Sequence, residues 1–327
     1  MLTGERRASR LEYLCVGGAI GVPGGFQIEG LEILRREPLA RFTSARVGGP
    51  ADWLVVVKSS GALIRAVRTA CEQGLAWRVL GSGSNVLVAD AGVRGLVIVN
   101  RTRRIVIEDS GRVNAEAGAS LSSLARQCIA RGLAGLEWAV NVPGTVGGAV
   151  VGNAGAFGGD VAGNLSSATV LGLDGKLVEW PVARFEYGYR DSALKRMAHQ
   201  AMPTVVTATF ALMPGDPVEL ARRAEEFAAR RKKTQPPGAS MGSMFRNPPG
   251  DYAGRLIEAA GLKGMRVGGA QISPVHANFF INTGDATAAD VKALIDLVRE
   301  QVQQRYGVAL ELEIEFWGDW PSANTGS

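Results

Sequence analysis

From residue 52 onward, short runs of β-branched and apolar residues alternate with stretches of helical period. "WLVVV" (53–57) predicts a strand, residues 62–73 an amphipathic helix stopped by Gly74, and "WRVL" (77–80) a second strand: a β-α-β unit in miniature. Further strands follow at "LVIV" (96–99), "IVIE" (105–108) and "RVNAEAG" (112–118), then a helix over 120–131. "ATVLGLD", "KLVEW" and "TVVTATFAL" (204–212) add three more strands. Many short strands with one helix indicate an α+β arrangement. "MPGDP" (213–217) marks a break before a helix that runs to about Lys233, and "TQPPGAS" breaks the chain again. The clearest element comes last: Val291, Leu294, Ile295, Val298 and Val302 share one helical face, with Thr287 placed as N-cap and Gly307 just past the end. Beyond it Val308, Leu310, Leu312, Ile314 and Phe316 alternate, which predicts a strand carrying Glu311, Glu313 and Glu315 on its other face.

One stretch obeys neither period. "WAVNVPGTVGGAVVGNAGAFGG" (138–159) has no charge in 22 residues and seven glycines. Asn141, Pro143, Thr145, Asn153 and the glycines leave too little continuous apolar surface for a membrane span. The five valines argue against a polar linker. Two readings remain: backbone shaped around a large ligand, or a tightly packed glycine-rich turn. A second candidate ligand loop, "GSGSNVLVAD" (81–90), places small residues and hydroxyls after a strand, where a β-α-β unit binds anions.

At 327 residues, two or three domains are expected, and 46% apolar residues suffice for real cores. The net charge of +5 suits an anionic small ligand but not nucleic acid, which needs a clustered basic stripe. Arg230–Lys233 reads as a solvated helix end. Cys15, Cys71 and Cys128 are odd in number and far apart, and His199 and His276 are distant from each other. Their placement suits a reducing cytoplasmic compartment and no metal. Arg6, Arg7 and Arg10 before "YLCVGGAIGVPGG" imitate a secretion signal, but glycine and proline break its apolar segment, so residues 1–26 read as a poorly ordered extension or an upstream start.

The phosphate loop G-x-x-x-x-G-K-[ST], H-E-x-x-H and G-x-S-x-G are all missing. Three segments stand out instead. In "YGYRDS", Arg190 can fork onto a carboxylate or phosphate, or simply pair with Asp191 or a carbonyl. In "SMGSMFRNP", Ser243 can project from a tight turn into a cleft, or be an ordinary turn serine. Among Glu311, Glu313 and Glu315, one carboxylate can be buried and poised, or all three solvated; periodicity does not say which.

These segments, with "TSARVGGPADW", "GLAGLEW", "AGRLIEAAGLKGMRVGGAQIS", "HANFFIN" and "LELEIEFWG", occur in an order that resembles the UDP-N-acetylenolpyruvoylglucosamine reductase family over about residues 31–318. The chain is similar to the shorter subtype, since "GYRDS" leads to "TVVTATFAL" without an inserted tyrosine-bearing loop. The resemblance implies an α+β fold of the vanillyl-alcohol oxidase (PCMH) type. Two FAD-binding subdomains are expected over 27–91 and 92–213, a substrate-binding domain over 214–320 and a tail over 321–327. It implies non-covalent FAD, NADPH as hydride donor and UDP-N-acetylglucosamine enolpyruvate as substrate, in peptidoglycan precursor synthesis. By the same resemblance Arg190 and Glu313 stabilise charge on the substrate carboxylate and Ser243 donates the proton. Arg46, Gly81, Ser82, Gly83, Ser84, Asn85, Pro143, Gly144, Thr145, Gly147, Gly148, Asn153 and Ala154 contact the cofactor, and Asn247 and His276 contact the substrate.

Four positions depart from the family pattern: Ser44 and Ala45 stand where threonine and phenylalanine are expected, Ser82 for glycine and Gly152 for glutamine. Two rival readings are another flavin oxidase or dehydrogenase of the same fold, and a sugar-nucleotide-binding protein without turnover. Neither histidine nor cysteine occurs in the two glycine-rich segments, which argues against a covalent flavin link, and Arg190, Ser243 and Glu313 are all present.

Overall fold

The computed structural model describes residues 26–197 and 202–320; the stretch before residue 26, the tail 321–327, Cys15 and His199 lie outside the described residues. The first unit begins with β1 (Ile33–Pro38), antiparallel to β2 (Pro50–Val57). α1 (Ser60–Glu72) starts where the Ser59 hydroxyl accepts the Ala62 N–H, and buries Leu63, Ala66, Val67 and Ala70 against the sheet. β3 (Trp77–Leu80), β4 (Val86–Val88) and β5 (Val93–Asn100) follow. The sheet order is β1-β2-β5-β3, with β5 parallel to both neighbours. The boundary expected after residue 91 therefore cuts this sheet: α1 carries the chain over the face from β2 to β3, and β5 fills the place between them.

The second unit contains β6 (Ile105–Ile107), β7 (Arg112–Glu116), α2 (Leu121–Ala130), β8 (Leu133–Ala134), α3 (Val146–Gly152), β9 (Gly155–Ala156) and β10 (Gly159–Asp160). It continues with β11 (Leu165–Leu171), β12 (Leu177–Pro181), β13 (Thr204–Ala211) and β14 (Met213–Pro214). Five strands form an antiparallel sheet in the order β12-β11-β13-β7-β6, while β8 pairs with β14 and β9 with β10. The two-residue period of β13 divides its side chains between layers: Val205 joins Leu121, Leu124 and Cys128 in the core under α2, and Val206 joins the apolar cluster around α1.

The third unit has α4 (Pro217–Thr234), β15 (Ala239–Ser243), α5 (Ala253–Ala259), β16 (Arg266–Val267), β17 (Ala270–Ile272), β18 (Phe279–Asn282), α6 (Ala288–Tyr306) and β19 (Glu315–Trp317). Its antiparallel sheet runs β15-β18-β17-β16 and packs against α5 and α6. The expected start of a separate domain at residue 214 does not describe α4, whose buried Leu220 and Ala224 belong to the second unit's core. α6 matches its sequence signals: Val291, Leu294, Ile295, Val298 and Val302 are buried, Gly307 is left-handed, and Thr287 and Asp290 form a capping box. Thr287→Ala is expected to cost about 1 kcal/mol, measured as a lowered urea midpoint; an unchanged midpoint would show that the cap adds nothing. Hydrogen bonds from Thr287 hold the Asp290 carboxyl below its ordinary value, so the cap's contribution is full above about pH 4 and is lost as acid protonates Asp290.

The strand expected over 308–316 is shorter in the structure. Only 315–317 form a ladder, β19, parallel to β4 of the first unit. The preceding residues are extended and pinned to the chain after β15, through Arg246 N–H to Glu311 O and Glu313 N–H to Met244 O, both 2.9 Å. That pairing preserves the alternation without a neighbouring strand: Leu310 and Ile314 are buried while the Glu311 side chain is 76% exposed. Asp90 ties the units further, accepting the N–H groups of Ala288 and Ala289 at the start of α6 (2.8 and 2.9 Å). Among the described residues, no helix is long and apolar enough to cross a membrane.

Candidate functional site: a cleft between three units

A cleft of ≈ 420 Å³ opens where the three units meet, a size typical of ligand sites. Its walls come from the loop 81–85, from 142–149 and 151–152 at the entry to and along α3, and from Arg190, Lys195, Ser243, Glu313, Glu315 and Trp317. Of the sequence-predicted residues, Gly81, Ser82, Gly83, Ser84, Asn85, Pro143, Gly144, Thr145, Gly147, Gly148, Ala154, Arg190, Ser243 and Glu313 all line it.

The loop after β3 has the properties of an anion cradle. Among the described residues, the main-chain N–H groups of Ser82, Gly83, Ser84 and Asn85 donate to no backbone carbonyl, although all four residues face the cleft. Gly83 is left-handed (φ +65°) and sits against the backbone of Phe42 and Thr43, where a Cβ would lie 2.4 Å from Phe42 O. Ser44 N–H donates to Gly83 O (3.0 Å) and the Ser44 hydroxyl to Ser82 O (3.3 Å), so serine keeps the hydroxyl of the expected threonine and helps to hold the loop. Gly152, which with Ser82 is a departure that lines the cleft, leaves space: a Cβ there would meet nothing within 4 Å. Free N–H groups and glycine-lined walls fit a large pyrophosphate-bearing cofactor such as FAD.

The "YGYRDS" segment is locked to the far end of α3. Tyr187 OH donates to Val150 O (2.8 Å), Ser192 Oγ to Val151 O (2.5 Å), and Asn153 Nδ2 to Gly188 O (2.9 Å). The first two satisfy carbonyls that the helix end leaves open, and the third ties the α3 cap to the segment. Between them Arg190 adopts a left-handed backbone (φ +54°), and its guanidinium crosses to Glu313, Nε to Oε1 at 2.9 Å. Both side chains are about four-fifths buried, at 22% and 20% exposure. Of the three glutamates, Glu313 is the one that pairs with Arg190. Ser243 ends β15 after a bulge at Gly242 (φ +78°), which turns the serine toward the cleft; among the described residues its hydroxyl makes no hydrogen bond.

Four expected contacts do not line the cleft. Arg46 is exposed. Asn153 is buried behind the wall as the left-handed cap of α3. Asn247 uses Oδ1 to accept the Ala253 N–H at the start of α5 (3.2 Å). His276 packs edge-on against Phe279, and burial lowers its imidazole pKa. Conversely, Lys195, Arg78 and Trp317 line the cleft without having been sequence candidates, with Arg78 5.3 Å above the Trp317 ring, and Glu315 of the candidate strand lines it as well. Burial lowers the Lys195 ammonium pKa, and Glu315, Arg246, Glu313 and Asp191 act on it in turn. Lys195 lies five residues beyond Arg190, close enough to the motif to have been a candidate; Trp317 and Arg78 carried no local signal.

The α+β fold and this cleft define a FAD-dependent oxidoreductase: residues 51–180 match the FAD binding domain, and 233–317 match the C-terminal domain of UDP-N-acetylenolpyruvoylglucosamine reductase. The chain is 48% identical to UDP-N-acetylenolpyruvoylglucosamine reductase 2 of Symbiobacterium thermophilum, over 88% of this chain and 93% of that one. It is 46% identical to the reductase of Chloroflexus aurantiacus, over 85% and 95%. The crystal structure of the Thermus caldophilus reductase superposes with a TM-score of 0.74 at 37% identity, covering 88% of this chain and 98% of that one. The chain belongs to the UDP-N-acetylenolpyruvoylglucosamine reductase family.

Proposed function

We propose that this protein works in the cytoplasm, using NADPH to reduce the enolpyruvyl ether of UDP-N-acetylglucosamine to the lactyl ether, giving UDP-N-acetylmuramate for peptidoglycan synthesis. The observation that carries this reading is the convergence of Arg190, Glu313 and Ser243, from three distant parts of the chain, on one glycine-walled cleft. FAD, when bound, would supply the hydride chemistry between NADPH and the substrate. The N–H groups of the loop 81–85 would hold its pyrophosphate, and the stretch from Pro143 to Gly148 would give it a neutral wall with little side-chain bulk.

Arg190 neutralises the negative charge that builds on the substrate carboxylate during reduction, in a cleft where low solvent access strengthens the interaction. Glu313 accepts the Arg190 Nε–H and so fixes the guanidinium that faces that carboxylate. Ser243 Oγ donates the proton to the neighbouring carbon. Serine is a weak acid, and the cation of Arg190 in the same cleft lowers the cost of the alkoxide left behind. The first two units grip the cofactor and the third closes over the sugar nucleotide, with Asn247 and His276 at its outer edge.

Loss of NADPH absorbance should depend on the enolpyruvyl sugar nucleotide, and mass spectrometry should show a product heavier by one added pair of hydrogens. NADPH oxidation at the same rate with oxygen alone would point instead to a flavin oxidase.

A further inference from the structure

The carbonyl oxygen of Arg190 is an unusual meeting point. Lys195 Nζ reaches it at 3.2 Å from the same loop, and Arg246 Nη2 reaches it at 3.2 Å from the third unit. Two cations thus donate to one neutral acceptor, on a residue whose backbone is left-handed (φ +54°), a conformation that side-chain-bearing residues hold only when their surroundings enforce it. Among the described residues, the Arg190 carbonyl is the side-chain hydrogen-bond acceptor of both cations, while Glu315, Glu313 and Asp191 act on Lys195 through charge alone. Arg246 Nη1 is 3.9 Å from Glu311, whose side chain is mostly in solvent, and Arg246 Nε is buried without a partner. Lys195 is largely buried, which lowers its ammonium pKa, yet a hydrogen bond from its Nζ ends on this backbone oxygen.

We propose that Lys195 and Arg246 are positioning residues: together they clamp the Arg190 carbonyl, hold Arg190 in its left-handed conformation, and so aim its guanidinium at Glu313 and the cleft. The inference rests on the reductase reading for its kinetic consequences, though not for its geometry. Arg246 lies three residues beyond Ser243, and its main chain is bonded to Glu311, two residues before Glu313. The clamp therefore sets the arginine, the glutamate and the serine in register, across an interface that no single unit could align.

The test uses Lys195→Met, Arg246→Met, the double variant, and the conservative Lys195→Arg and Arg246→Lys, each as the FAD-loaded protein. Crystal structures of the methionine variants should show Arg190 leaving the left-handed region and its Nε drawing away from Glu313. That readout needs no substrate, so it tests the clamp even if the reductase reading fails. In stopped flow, reoxidation by the enolpyruvyl sugar nucleotide should slow about 10- to 100-fold in each single variant, as expected when a reacting group is misplaced. Reduction by NADPH should stay within about twofold and substrate KM should change little. The double variant should lose less than the product of the two single losses, since both donors act through one oxygen. Lys195→Arg and Arg246→Lys should recover most of the rate. An unmoved Arg190 would overturn the clamp. So would a raised KM at unchanged kcat, which would make Lys195 a direct substrate ligand, or multiplicative losses in the double variant. A wild-type protein that is reduced by NADPH but not reoxidised by this substrate would refute the reductase reading alone.

Discussion

Replacing Ser243 with alanine should slow reoxidation of the reduced protein by the enolpyruvyl sugar nucleotide by about 10²- to 10⁴-fold, the span a positioned proton donor contributes. Reduction by NADPH should be unaffected, because the serine acts only on the substrate. The fold should also survive. The hydroxyl makes no hydrogen bond among the described residues, and the β15–β18 pairing of Ser243 with Phe279 uses the main chain. Equal melting temperatures would therefore accompany very different rates. A Ser243→Ala protein that reoxidised at the wild-type rate would remove the serine from the mechanism and leave proton delivery to solvent or to another side chain in the cleft.

Gly83→Ala should strip the protein of its flavin. A Cβ at this position would lie 2.4 Å from Phe42 O and 2.6 Å from Thr43 Cα, both main-chain atoms. Thr43 cannot give way easily, since it is buried and its hydroxyl donates to Val47 O at 2.8 Å. The left-handed φ adds strain of about 1–3 kcal/mol for any residue with a Cβ. The loop 81–85 would have to move, and its N–H groups would no longer converge. We expect FAD affinity to fall at least about 100-fold, close to 3 kcal/mol of binding, with a lower melting temperature. Gly152→Ala is the matched control, since its Cβ would enter open space and flavin binding should persist. A Gly83→Ala protein that kept its flavin at unchanged affinity would show that the loop does not carry the pyrophosphate.

The elements set by local rules were legible in the sequence. Every signal in α6 is local: a capping box at one end, a glycine at the other, and a stripe at helical spacing between them. The extended segment before β19 misled for a physical reason. Alternation reports which side of a chain faces the core, not what the main chain bonds to, and here its partner is an irregular stretch after β15. Sheet membership was illegible for a related reason, because it is a long-range property: β5 returns to the middle of the first sheet, and β19 pairs with β4 across most of the chain.

The site divides along the same line. Composition and spacing left its glycine-rich walls with two readings, a ligand cradle or a tightly packed turn, and the family resemblance chose the first. The pairing of Arg190 with Glu313 spans 123 residues and has no local signature; only family resemblance raised that glutamate above its two neighbours. Resemblance also placed Arg46, Asn153, Asn247 and His276 at the ligands, and none of these four lines the cleft. Lys195 and Arg246 were passed over because a lone cation in sequence looks like surface, and only tertiary packing turns two of them onto one carbonyl.

The most direct measurement is an anaerobic visible spectrum of the purified protein, followed through addition of NADPH and then of UDP-N-acetylglucosamine enolpyruvate. The expected result is a bound-flavin spectrum that bleaches with NADPH and returns only with the sugar nucleotide. A colourless protein that takes up no added FAD, or a flavin whose colour is not restored by that substrate, would contradict the assignment of this cleft.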